Sequence, residues 1–257
     1  MNRREFLHPR RLAKVAAPVL SIAVSIAGPE VVSRGGWAWI GPSSHWEWSH
    51  SHHGGHSHFS DGPAASRDLT WSGGEVLDIA LPADVRFTQA PGAAKLVVRG
   101  PENVIRHVRI NDGRLDFDAP SFDADDVTIE LTAPKVTRFV MSGSGRLAIH
   151  DYQQDQLAVH ITGNGAVTAD GAAKSAKVEI SGSGDADLAE LSLDGADVAI
   201  TGSGEAKVGP KTWAKLNISG SGNVDLLSRP KRLESQISGS GHVDQSDEEE
   251  AGSPSPS

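Results

Sequence analysis

Histidine is the residue type in this sequence with the clearest capacity for chemistry, because six histidines lie within residues 45–58. They are His45, His50, His52, His53, His56 and His58. Neutral imidazoles bind Zn, Ni or Cu, and a chain rich in glycine and serine can gather three or four of them round one ion. No carboxylate or cysteine stands at a spacing that would close the site, so a plain linker is the alternative. A divalent metal at these histidines is the one cofactor that the sequence suggests.

A second candidate site consists of carboxylates at matching positions of neighbouring repeats. They are Asp185, Asp187, Glu205 and Asp225. Stacked carboxylates can bind calcium or act as acid and base in a polysaccharide-active enzyme, whereas a solvated face partly neutralised by Lys207 is the simpler alternative. Four further histidines are His107, His150, His160 and His242. They form no serine–histidine–acid order and no metal-spaced pair, so we expect no catalytic residues and no enzyme activity.

Charge and composition exclude several functional classes. The formal net charge is −9, and no basic stretch outside the first 14 residues could neutralise a phosphate backbone, which disfavours nucleic-acid binding. The chain has no cysteine, which excludes disulfides, thiolate metal sites and cysteine nucleophiles. The glycine motifs recur between strands and open no helix, so they do not form a phosphate-binding loop.

The N-terminus reads as an export signal. Arg3 and Arg4 precede an uncharged run over residues 15–29, which is shorter than a membrane-spanning helix needs. The arginine pair resembles the twin-arginine signal. We predict cleavage after Ala27, which would leave no stable membrane span and place the protein in the periplasm or cell envelope of a bacterium; an uncleaved anchor is the alternative.

The rest of the chain divides by composition. Residues 28–66 are rich in histidine and tryptophan and predict a flexible neck, and residues 246–257 predict a disordered acidic tail. Residues 67–136 show irregular strand-like alternation. Residues 137–245 carry a regular repeat, which is the most informative part of the sequence.

The repeat is a tetrapeptide of the form SGSG that occurs six times at intervals of 18–20 residues. Its glycines are Gly143, Gly145, Gly163, Gly165, Gly182, Gly184, Gly202, Gly204, Gly220, Gly222, Gly239 and Gly241. Apolar residues stand at odd offsets from each opening Ser or Thr, a period of two that indicates strands. Both glycines share that parity, so we expect both to face the core and the hydroxyl residues to face outward. Repeats of this length predict a parallel β-solenoid whose identical positions stack.

The two ends of the solenoid depart from the repeat. Residues 67–136 can be cut into three pieces of about one repeat each, which predicts three irregular N-terminal coils, with a separate small β-sandwich as the alternative. In the last repeat Ser235 and Gln245 replace apolar residues. We interpret that repeat, with the acidic tail behind it, as a cap that protects an open edge.

Residues 88–118, TQAPGAAKLVVRGPENVIRHVRINDGRLDFD, together with the SGSG ladder resemble the head GIN domain family of auto-transporter adhesins. The resemblance implies a right-handed parallel β-helix in bacterial envelope proteins, without established catalytic residues. We therefore expect an all-β, single-stranded right-handed parallel β-helix (β-solenoid) of about nine coils with 18–21 residues per coil.

The expected function is that of a non-enzymatic exported cell-envelope module with a binding, adhesive or structural role. Its partner would be an envelope protein or a glycan, because a solenoid offers an extended surface and nothing in the sequence concentrates reactivity. Divalent-metal handling through the histidine-rich neck and a polysaccharide-active β-helix enzyme are the alternatives.

Overall fold

Residues 62–118 and 126–246 are described by the structure, which is a computed structural model. The first half of the described chain contains β1 (Ala64–Leu69), β2 (Val76–Ile79), β3 (Asp84–Gln89), β4 (Lys95–Pro101), α1 (Glu102–Ile105), β5 (Val108–Asn111), β6 (Arg114–Phe117) and β7 (Thr128–Ala133). The second half contains β8 (Arg138–Gly143), β9 (Arg146–Gly163), β10 (Ala166–Gly182), β11 (Asp185–Gly202), β12 (Glu205–Gly220), β13 (Asn223–Leu226), β14 (Arg232–Gly239) and β15 (His242–Gln245).

The repeat region forms a parallel β-solenoid, as its period predicts. Each repeat pairs with the next in parallel, and equivalent residues meet: Ile161 pairs with Ile180, and Ile180 pairs with Ile200. These three isoleucines are almost fully buried. Layers about 4.8 Å apart therefore place each apolar side chain on its own counterpart, which removes apolar surface from water along the whole axis.

The strands of the repeat region are unusually long because pairing continues round the corners of the solenoid. β9, β10, β11 and β12 contain 18, 17, 18 and 16 residues. Irregularities in register mark a corner between Thr168 and Gly171, where the pairing skips residues. A further corner lies at each glycine tetrapeptide, where a short break separates successive strands.

The prediction of about nine coils is wrong, since the solenoid makes about 5 turns. β2 and β3 do form a layer, in which Ile79 stacks on Met141 and Val85 on Leu147. However, the opposite edges of β2 and β3 pair with β6 and β7, respectively. The layer built from residues 76–89 thus lies between two layers that follow it in the sequence, so the N-terminal segment does not wind in chain order.

Local turn chemistry explains that departure. β5 and β6 form an antiparallel hairpin in which Asn111 pairs with Arg114. The two residues between them, Asp112 and Gly113, have φ angles of 48° and 82°. Positive φ at both central residues is the mark of a tight type I′ hairpin turn, which reverses the chain and prevents it from continuing as a coil.

β4 also runs against the winding, because it pairs antiparallel with both β1 and β7. β1 begins at Ala64, inside the segment predicted as neck. The helix α1 follows β4 and buries Val104 and Ile105 at this end of the solenoid. These two apolar residues are thereby buried by the chain itself.

The opposite end is open. The last layer consists of β14, which pairs with β12, and β15, which pairs with β13. All eight residues of β14 are exposed, including Leu233 and Ile237. The last repeat thus adds a final layer of strands but leaves apolar side chains uncovered.

Candidate functional site: the glycine corner and the polar ridge beside it

The first glycine of each tetrapeptide forms a continuous column. It runs through Gly143, Gly163, Gly182, Gly202, Gly220 and Gly239, which pair one with the next. Their φ angles lie between 109° and 126°, a region that L side chains rarely adopt. A Cβ atom added to Gly182 would lie 2.5 Å from the carbonyl oxygen of Gly163. Glycine is required here both by the backbone conformation and by the close approach of the layer below.

The second glycine of each tetrapeptide faces the interior. Gly184 is buried, and a Cβ atom on it would lie 2.6 Å from Cγ2 of Ile161 and 2.6 Å from the oxygen of Gly165. Space beneath this glycine is therefore filled by an isoleucine of the preceding repeat. The expectation that both glycines face the core is wrong for the first, which is partly exposed. A residue at positive φ turns the chain, so the alternation of faces does not carry across it.

Between and beside the two glycine columns, hydroxyl and amide side chains project outward. The exposed members of this polar ridge are Ser144, Thr162, Asn164, Ser181, Ser183, Thr201, Ser203, Ser219, Ser221, Ser238 and Ser240. The backbone holds the ridge in register, because the N–H of Ser183 donates to the carbonyl of Gly163 at 2.9 Å and the N–H of Ser203 donates to that of Gly182 at 2.8 Å. The prediction that these side chains face outward is confirmed.

The predicted carboxylate patch is broken up by a lysine. Asp185 pairs with Glu205 in neighbouring strands, but Asp187 is opposite Lys207, which in turn is opposite Asp225. Lys207 Nζ lies 3.2 Å from Glu205 Oε1. The hydrogen bond to Glu205 and the negative charge of that carboxylate raise the pKa of Lys207. Opposite charges thus alternate along the column of Asp187, Lys207 and Asp225.

A groove opens at the N-terminal end of the ridge, beside residues 82–84. It has a volume of about 470 Å³ and is lined by Asp84, Ser144, Arg146, Asn164 and Asp185 among others. Arg146 Nη1 lies 3.8 Å from Asp84 Oδ1, and the Arg146 side chain is 79% exposed. Carboxylate, guanidinium, amide and hydroxyl groups therefore meet within one depression.

Each of the four further histidines lies beside a carboxylate. Nδ1 of His107 is 2.7 Å from Oδ1 of Asp118, and the hydrogen bond from this histidine lowers the pKa of the carboxyl. Nδ1 of His160 is 3.2 Å from Oε2 of Glu179. Sequence reasoning missed these contacts. For His150 and His160 the separation in sequence is about one repeat, so the period itself was the signal that could have found them.

The described ranges contain neither a metal-binding cluster nor a membrane-spanning helix. Among residues 62–118 and 126–246, no three or more His, Asp or Glu side chains are grouped so as to hold a metal ion. The same residues contain no helix with the length and apolar content for crossing a bilayer. The six histidines of residues 45–58 and the twin-arginine-like segment lie outside the described residues.

These features define a class of protein: a parallel β-solenoid whose glycine corners carry a repeated, outward-facing polar ridge. The chain belongs to the family described as "Putative auto-transporter adhesin, head GIN domain", whose model matches residues 75–230. No curated protein matches it significantly.

Several solved crystal structures are similar to this chain. A crystal structure of a "putative adhesin" from Bacteroides fragilis superposes with a TM-score of 0.60 at 17% identity, over 72% of this chain and 98% of that one. A "Putative lipid binding protein" from Parabacteroides distasonis gives 0.49 at 18% identity, over 73% and 98%. A "putative adhesin" from Parabacteroides merdae gives 0.41 at 15% identity, over 73% and 98%. The first likeness shows the same fold.

Proposed function

We propose that this chain is a non-enzymatic, exported cell-envelope module that binds an envelope glycan along the polar ridge and in the groove at its N-terminal end. Membership of a family described as adhesins supports a binding or adhesive role. An envelope protein is the alternative partner, and it would be favoured if the chain bound no glycan in the experiment below.

The observation that carries the proposal is the repetition of one polar constellation at a fixed spacing. Each layer presents a Ser or Thr and then a Ser or Asn from the same backbone position, about 4.8 Å from the next layer. A ladder of this kind repeats the same hydrogen-bond donors and acceptors along the axis of the solenoid. It suits a linear polymer with many hydroxyl groups better than it suits a single small molecule.

The groove would supply the stronger contacts. Its Arg146 guanidinium can donate two parallel hydrogen bonds, Asp84 and Asp185 accept from hydroxyl groups, and the Asn164 amide does both. Because the Asp84–Arg146 pair is exposed and its closest atoms are 3.8 Å apart, little interaction energy would be lost when a ligand separates the two side chains.

A glycan array with the full chain tests this function. The double variant Asp84→Asn/Arg146→Gln should lose binding to whichever glycan the wild type retains. The matched control is Glu205→Gln/Lys207→Gln, which neutralises another carboxylate–cation pair on the same face and should keep it. Failure of the wild type to bind any envelope glycan, or equal losses in the two double variants, would contradict the proposal.

The same array addresses a polysaccharide-active enzyme. Glycoside hydrolysis uses a pair of carboxylates, and the residues that line this groove include two, Asp84 and Asp185, so the array is also read for cleavage of the bound glycans. We expect bound glycans to be recovered at their original length. Shortened chains would favour the enzyme.

Export is proposed from the twin-arginine-like N-terminus. Replacement of Arg3 and Arg4 by lysine should leave the full-length protein in the cytoplasmic fraction, while the wild type is found in the envelope or periplasmic fraction. Equal distribution of the two forms would contradict export by this route.

A further inference from the structure

The C-terminal end of the solenoid exposes side chains that every earlier layer buries. Ile237 is 42% exposed, whereas its counterparts Ile218 and Ile200 are 2% and 1% exposed. Leu233 is 41% exposed and stands where the two preceding layers have buried alanines, Ala214 and Ala196. The final layer therefore carries a larger apolar residue at a position where no further layer covers it.

The exposed edge is also able to accept another strand. β14 pairs with β12 on one side, and the described residues supply no partner for its other side. A free strand edge with apolar side chains is a template for pairing with a further chain.

The pattern of residues on β14 is symmetrical about Ser235. Leu233 and Ile237 lie two residues before and two residues after it, and all three share one face of the strand. If two copies of β14 pair antiparallel with Ser235 opposite Ser235, each Leu233 comes to lie opposite the Ile237 of the other copy. Directly opposite residues in an antiparallel pair have Cβ atoms about 5 Å apart, so both apolar pairs would be in contact.

The charged residues of β14 are compatible with the same antiparallel register. Glu234 would lie opposite Gln236 of the second copy, and Arg232 opposite Ser238, so no like charges face each other directly. Arg232 keeps its ion pair with Glu234 of its own strand.

The other end of the solenoid is a poorer partner for this edge. Its apolar residues Val104 and Ile105 are buried. The edge strands there are β1 and β5, and neither carries an exposed large apolar side chain. In β5, the carbonyl of Val108 also accepts hydrogen bonds from Arg67 at 3.4 Å and Arg109 at 3.0 Å. Head-to-tail growth is thus disfavoured, and pairing of two identical ends closes after two copies.

We propose that the C-terminal layer is a homodimer interface in which β14 pairs antiparallel with β14 of a second copy, with Ser235 on the two-fold axis. Leu233 and Ile237 are its apolar contacts. The dimer would present two polar ridges running away from a common centre, which doubles the binding sites of the proposed module without any new contact to the ligand.

The absence of native cysteine makes a direct test possible. In the full chain, Ser235→Cys should form a disulfide-linked dimer on mild oxidation, because the two α-carbons would lie about 5 Å apart, within disulfide range. The control Ser238→Cys is on the same strand, but in this register the two copies of residue 238 are about 20 Å apart, so it should form no disulfide-linked dimer. No disulfide in Ser235→Cys, or equal yields in both variants, would overturn the proposal.

Sedimentation of the full chain provides the second measurement, at about 0.15 M salt so that the acidic residues after Ser246 are screened. The wild type should sediment as a dimer, and Leu233→Lys/Ile237→Lys as a monomer. Val76→Lys is the matched control, because Val76 is 43% exposed in β2, outside the proposed interface. This variant should remain dimeric. A monomeric wild type that dimerises only after removal of residues 247–257 would show that the tail covers the edge, and would overturn the proposal.

Discussion

Nδ1 of His150 lies 2.7 Å from Oδ2 of Asp170, although 20 residues separate them in the chain. The other oxygen of the same carboxylate accepts a hydrogen bond from the backbone N–H of Asp151 at 2.9 Å. Asp151 has a φ angle of 55°, a conformation that is uncommon for a residue other than glycine. One aspartate of the next layer therefore holds a histidine and a strained corner residue together.

The first prediction concerns Asp170 and acid stability. Burial raises the pKa of the Asp170 carboxyl, but the hydrogen bonds from Asp151 and His150 outweigh it and hold that pKa below its ordinary value of 3.8. A carboxyl whose pKa is lower in the folded than in the unfolded state stabilises the fold at pH values above its unfolded-state pKa. This contribution to the free energy of unfolding is lost as the pH falls through the folded-state pKa. Because the side chain is partly exposed, we expect about 1 kcal/mol or less.

Urea unfolding of Asp170→Asn at neutral pH and below pH 3.8 checks this prediction. The asparagine keeps an oxygen for the Asp151 N–H but does not titrate. The variant should be less stable than the wild type at neutral pH, and the difference should shrink in acid. An undiminished difference in acid would contradict the assignment.

The second prediction separates the two reasons for glycine in the first column. Gly182→Ala combines a φ angle of 126° with a Cβ atom 2.5 Å from a backbone oxygen, whereas Gly143→Ala has a φ angle of 109° and no atom within 4 Å of its Cβ. Both variants should lose about 1–3 kcal/mol through backbone strain, and Gly182→Ala should lose more.

Thermal or urea unfolding of these variants beside Ser183→Ala provides the measurement. Ser183 is exposed on the polar ridge, so its truncation should change the free energy of unfolding little. The close approach between layers would be refuted by equal losses for Gly143→Ala and Gly182→Ala.

The third prediction uses Tyr152, the one tyrosine in the sequence. Its side chain is buried, and its hydroxyl donates to the carbonyl of Gln156 at 2.6 Å. Burial raises the pKa of the Tyr152 phenol far above its ordinary value of 10.0. Alkaline titration should therefore show no phenolate absorbance at that pH until the protein unfolds.

A Tyr152→Phe variant tests the hydrogen bond. We expect a loss of about 1 kcal/mol, because the Gln156 carbonyl would lose its buried donor. Phenolate absorbance near pH 10 in a protein that keeps its strand circular-dichroism spectrum would instead place the ring in water.

The fourth prediction concerns the histidine-rich segment. Calorimetry of the full chain with Zn²⁺ or Ni²⁺ should show binding that disappears when residues 45–58 are deleted. The control is the quadruple replacement of His107, His150, His160 and His242 by glutamine, which leaves the segment intact and should keep the binding. Retention of affinity in the deletion would assign the metal to another part of the chain.

Much of the solenoid can be predicted from the repeat period of the sequence alone. The columns that contain Ile180 and Val198 were predictable because strict spacing places each apolar residue on its counterpart. The same spacing also foretells contacts such as the Lys174–Asp155 ion pair, in which Nζ lies 2.8 Å from Oδ1 and the residues are one repeat apart. Periodicity is a local property, so it can be read without coordinates.

The N-terminal layers could not be obtained in that way. Alternation identifies β2 and β6 as strands but does not say which strand lies beside which. The Asp112–Gly113 turn was visible in the sequence as a turn, yet its effect on the winding depends on a reversal of direction that alternation does not encode. Pairing there is decided by burial of side chains far apart in the chain.

The amino-acid sequence by itself determined that the repeats are strands, that they stack in register and that hydroxyl residues line the outside, because each of these rests on spacing along one chain. Only the tertiary structure decided which glycine of each pair faces the interior, how the N-terminal strands are ordered and which end of the stack stays uncovered. Those features depend on backbone dihedral angles and on pairing between segments outside the regular repeat, and the repeat spacing carries no information about either.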